Sequence, residues 1–112
     1  MVMGMPQADV EPILRALSDT TRRQLFERLC QEGDLTVGAL TAGAGVSQPA
    51  VSKHLAVLKQ AGLVSDHRAG RQTHYRAEAQ ALSPLNDWTA QMSGFWSLRF
   101  DALDDLLKRM DQ

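Results

Sequence analysis

The stretch "SQPAVSKHLAVLKQAGLV", Ser47–Val64, decides how the chain is read. Ser47 is a helix-capping type, and Pro49 falls in the first turn, where its missing N–H costs nothing. At about 100° per residue, Val51, Leu55 and Leu58 fall on one narrow stripe, and Gly62 stops the helix. That stripe is enough to join a core. The opposite side keeps Pro49, Ser52 and Lys53, with Gln48 at one edge and His54 at the other, and no core requires them.

A face of this composition fits a major groove. Gln can make two hydrogen bonds to an adenine edge, Ser reaches bases or phosphates, and Lys meets phosphate or guanine. The positive end of the helix dipole would point at the backbone.

Upstream, Ile13, Leu14 and Leu17 predict a short helix ending near Ser18. Asp19 is then an N-cap candidate for a second helix with Leu25, Phe26, Leu29 and Cys30 on its apolar side, ended by Gly33. Cys30 on that side predicts a small buried hydrophobe. Asp34 or Thr36 starts a third, short helix through Val37 and Leu40, and "GAGV" joins it to the Ser47 helix. That is a helix-turn-helix order.

Downstream, "LVSDHR" and "RQTHYRA" flank Ala69-Gly70 and predict a β-hairpin with Arg68, Arg71 and Gln72 near its tip. Such a wing can lie along a nucleic-acid backbone or insert an Arg into a minor groove. Ser83-Pro84 then predicts an N-cap followed by the first residue of a long helix, 84–110. The fold class is mainly α with a small β-hairpin, a winged helix-turn-helix with a long C-terminal dimerisation helix. Residues 1–8 are expected to be a flexible tail and residues 9–112 a single domain.

The chain has 112 residues and a net charge of −1, which alone argues against a nucleic-acid partner. The distribution argues for one. Residues 35–76 sum to +4, between segments of −2 and −3, and hold all three histidines. Local charge sets the field at a phosphate backbone. Arg22 and Arg23 open the second helix, where a cation meets an unfavourable dipole, so phosphate contact is expected of at least one of them.

Other chemistries find little support. Ser47 and His54 are about 10 Å apart along one helix, too far for a proton relay, and Gly43 and Gly45 follow no strand. No enzyme is expected. His54, His67 and His74 are scattered without a thiolate cluster, so no zinc site is expected. One cysteine, no secretory signal and no membrane-length apolar run predict a cytoplasmic protein away from membranes. The alternative reading is a winged-helix module that binds another protein.

The chain resembles the ArsR/SmtB family of bacterial winged-helix transcriptional repressors. The carriers are "LRALSDTTRRQLFERL" (14–29), "LTVGALTAGAGVSQPAVSKHLAVLKQAGLV" (35–64) and "HRAGRQTHYRA" (67–77). The resemblance implies a homodimer held by the first and last helices, with two reading helices on a palindromic double-stranded DNA operator. On this chain the interface residues would be Leu14, Leu85, Trp88, Met92, Phe95, Trp96, Arg99 and Leu103. The rings of the last helix could equally pack on the first two helices, and a wide stripe can do both. Family members that sense metals use a Cys-x-Cys pair, where Thr36 and Gly38 stand here, or imidazoles on the last helix, which has none. The resemblance is therefore to a branch without the metal site or any other cofactor.

Overall fold

The computed structural model describes residues 9–111. The expected tail, residues 1–8, lies outside the described residues. The element order is α1 (Glu11–Ser18), α2 (Thr20–Glu32), β1 (Leu35–Thr36), α3 (Val37–Thr41), α4 (Gln48–Gln60), β2 (Val64–Ala69), β3 (Gln72–Ala77), a 3-10 turn (Ala79–Leu82) and α5 (Ser83–Met110). This is the winged helix-turn-helix, mainly α with a small antiparallel sheet.

Three short polar side chains start three helices. Asp19 accepts the backbone N–H of Arg22, Thr36 that of Ala39, and Ser47 that of Ala50. Each satisfies one of the N–H groups that a helix start leaves without a partner. α2 ends at Gly33, whose φ of 87° suits only glycine. One core collects Ile13 and Ala16 from α1, Leu25, Phe26 and Leu29 from α2, Leu40 from α3, Val51, Leu55 and Leu58 from α4, and Leu63 and Val64 behind them. The apolar stripe of the Ser47 helix is thus wholly spent on this core.

The hairpin turns through Gly70 and Arg71, with Ala69 paired to Gln72. Gly70, at φ 66°, takes the first central position, as a type II′ turn demands. β1 pairs with the other edge of β3, Leu35 opposite Tyr75 and Thr36 opposite His74, giving the order β1-β3-β2. The sequence reading had only the hairpin. A two-residue strand has no periodicity to detect, and the free edge of β3 creates it.

Three expectations need correction. Ser83 does not cap α5. Its backbone is already helical (φ −51°, ψ −46°), because the 3-10 turn runs straight into the helix, and its N–H bonds the carbonyl of Gln80. Cys30 is exposed. It lies on the flank of the stripe centred on Leu25, Leu29 and Phe26, about 90° away by helical rotation. The rings of α5 are not buried against the first two helices. No residue of α5 is buried, and only its start, through Leu85, reaches the core.

Candidate nucleic-acid interface

α4 stands on the core through Val51, Leu55 and Leu58, so the orientation of its outer side chains is fixed by packing. Gln48, Pro49, Ser52 and Lys53 are all exposed, as expected of a reading face. Ser47 is exposed too, with its hydroxyl accepting the Ala50 N–H at 3.4 Å. His54 is different. Its side chain is 21% exposed and turned toward α2, with Nε2 4.0 Å from an Asp19 oxygen.

The cations of α4 and the wing divide in two. Lys59 pairs with Asp66 at 3.0 Å, joining the end of α4 to β2. Arg76 donates to Asp34 at 3.1 Å. That bond above all holds the Asp34 carboxyl below, and the Arg76 guanidinium above, their ordinary ranges. Lys53, Arg68 and Arg71 are exposed, and no hydrogen bond or ion pair holds them among the described residues. Gln72, beside the turn, is exposed as well. The basic middle third read from the sequence is therefore narrower than its charge suggests, and the unspent charge sits on α4 and at the wing tip.

His67 and His74 stack across the hairpin with centroids 5.4 Å apart, and His67 lies 3.9 Å from the carboxylate of Asp34. Among the described residues, no group of acidic, thiol and imidazole side chains comes together in a way that could hold a metal ion. Thr36 is occupied in capping α3.

Arg22 and Arg23 have partners that the sequence did not reveal. Arg22 gives Nε to the Ala16 carbonyl at 2.6 Å and Nη2 to that of Arg15 at 3.1 Å. Arg23 gives Nη1 to the carbonyl of Leu17 at 2.7 Å. These are the last carbonyls of α1, which a cation satisfies well. The unfavourable helix start is thereby offset by a favourable helix end. Arg23 remains exposed. Arg28, not singled out by sequence, does the same for α3, donating to the carbonyls of Ala39, Leu40 and Ala42. It fixes the turn that leads into α4. Its local bond to Glu32 does not mark this role, because the carbonyls it holds are 11 to 14 residues away.

α5 leaves its apolar side uncovered. Trp96 is 57% and Phe100 63% exposed, and Phe95, Leu103, Leu106 and Leu107 are about half exposed. Arg99 stacks over the Trp96 ring at 5.4 Å. In α1, Leu14 is also exposed.

Comparison with known proteins places this geometry. Residues 19–66 match the model of the bacterial regulatory protein, arsR family. The chain is 42% identical over 96 residues to the HTH-type transcriptional regulator Rv2034 of Mycobacterium tuberculosis, covering 81% of this chain and 89% of that protein. It is 37% identical over 76 residues to the transcriptional repressor SdpR of Bacillus subtilis, covering 68% and 83%. A solved homodimeric winged helix-turn-helix DNA-binding domain from Mycobacterium bovis, a possible ArsR-family transcriptional regulator, superposes with a TM-score of 0.61 at 25% identity, covering 81% of this chain and 91% of that one. The chain is a transcription regulator that belongs to the arsR family of bacterial regulatory proteins.

Proposed function

We propose that the protein is a homodimeric repressor that reads a palindromic operator with α4, grips the flanking backbone with the wing, and silences a promoter by occupying it. The observation that carries this reading is the separation of cations. Lys59 and Arg76 are neutralised within the fold, whereas Lys53 stands free on α4 with the exposed Gln48 and Ser52, and Arg68 and Arg71 stand free at the wing tip. Free cations beside exposed amide and hydroxyl groups suit contact with phosphates and base edges together. Arg23 keeps donors to spare for a phosphate, and Gln72 can assist the wing. The homodimer is supported by the bare stripe of α5 and by the homodimeric M. bovis relative. Repression is supported by the SdpR relative.

The reading places the protein in the cytoplasm, with no cofactor and no response to thiophilic metals, since Thr36 and Gly38 stand where family sensors have thiolates. Titration with zinc or arsenite should leave operator binding unchanged. A stoichiometric site that released DNA would overturn this part.

The main test is selection of bound duplexes from a random pool, followed by salt series on preferred and scrambled duplexes. Gln48→Ala should cost about 1–3 kcal/mol on the preferred duplex and relax the preference at one base pair per half-site. Arg71→Ala should weaken all duplexes alike and lower the salt slope by about one per protomer. Failure of the parent chain to shift any duplex at low salt would favour the protein-interaction module instead.

A further inference from the structure

Arg22, on α2, makes side-chain polar contacts to both α1 and α4. Its backbone N–H lies on the Asp19 cap at 2.9 Å. Its guanidinium holds the carbonyls of Arg15 and Ala16 at the end of α1, and Nη1 lies 3.5 Å from Nδ1 of His54, in the middle of α4. A guanidinium only donates, so Nδ1 of His54 is the acceptor, and the ring's other nitrogen faces Asp19 at 4.0 Å. The groups facing the imidazole from α2 are thus Arg22 and Asp19.

This arrangement takes up Nδ1 of His54 and turns the ring toward Asp19, and it engages three of the five N–H donors of the Arg22 guanidinium. It also connects the reading helix to α1, whose outer side carries the exposed Leu14. In a dimer seamed through α1 and α5, the tilt of α4 against α1 sets how far apart the two reading helices stand. We infer that Arg22 is a positioning residue for operator recognition: through His54 it locks α4 to α1 and so sets the half-site spacing the dimer accepts. This rests on the operator-reading function proposed above. It replaces the phosphate contact expected of Arg22 from the sequence.

The test uses the full-length chain and duplexes selected by the parent, with one base pair inserted or removed between half-sites as a second series. Arg22→Gln should lose roughly tenfold to a hundredfold on the preferred duplex, as expected for broken hydrogen bonds to a charged group. It should keep the parent's salt slope and discriminate less between half-site spacings. His54→Leu should behave alike, and the double variant should be no worse than either single one. His54→Gln, which restores an acceptor, should recover most of the affinity. Circular dichroism and sedimentation establish the folded dimer for each variant. If Arg22→Gln does not fold, the two His54 variants carry the test.

Three results would overturn the inference. A salt slope lowered by about one per protomer in Arg22→Gln would make Arg22 a phosphate contact. Unchanged affinity and spacing preference in the variants would show the link to be idle. Equal losses on preferred, respaced and scrambled duplexes would reduce it to general stability. Failure of the parent itself to select any duplex is a different outcome, because it removes the operator-reading function and not this link alone.

Discussion

Asp34 and Arg76 tie the start of β1 to β3 at 3.1 Å, and both are exposed. Because the Arg76 hydrogen bond holds the Asp34 carboxyl low in the folded chain, the pair favours folding once Asp34 is ionised in both states. The contribution is complete above the usual carboxylate pKa of about 4 and disappears as pH falls through the lowered value. Asp34→Asn should therefore melt below the parent at pH 6, with the gap closing toward pH 3 in a series of thermal melts. A gap independent of pH would mean that the pair does not act through this charge. At this scale the caps were legible, since Asp19, Ser47 and Thr36 act within three residues of themselves. Arg22 and Arg28 were not, because a guanidinium that closes another helix has partners chosen by tertiary packing.

Among the α-helices of the described residues, α3 is the shortest. It is five residues long, too short to persist alone, and is held by the Thr36 cap at one end and Arg28 at the other. Thr36→Ala should cost about 1 kcal/mol in denaturant unfolding. It should also speed amide exchange in α3 and in the turn before α4, while β2 and β3 keep their protection. Uniform loss of protection would show that α3 does not open separately. The helices of the core were readable from apolar spacing, and the hairpin from Ala69-Gly70 between its strands. β1 was not, because its two residues are a strand only by virtue of β3. The start of α5 was misplaced because Ser83-Pro84 looks like a cap, and only the preceding 3-10 turn makes Ser83 helical.

For the whole molecule, size and shape disagree with a self-sufficient monomer. The radius of gyration is 20.1 Å and the long axis 73 Å. A compact domain of about 100 residues has a radius near 13 Å. The excess is α5, 28 residues long, or about 42 Å, with aromatic and aliphatic residues in water along most of it. The spacing of Trp88, Phe95 and Trp96 announced an apolar stripe in the sequence, but nothing there could say that the chain's own core would leave it bare. Trp96→Ala should cost about 2–4 kcal/mol of dimer stability, read by sedimentation across micromolar concentrations. A folded, monodisperse monomer for the parent chain would remove the seam. If two copies are needed to cover α5, the working species follows the square of chain concentration while most chains are single. Halving the supply of polypeptide would then leave about a quarter of the dimers. The bare helix would make the protein's output respond to its own dosage in a steep, threshold-like way, with no effector required to sharpen it.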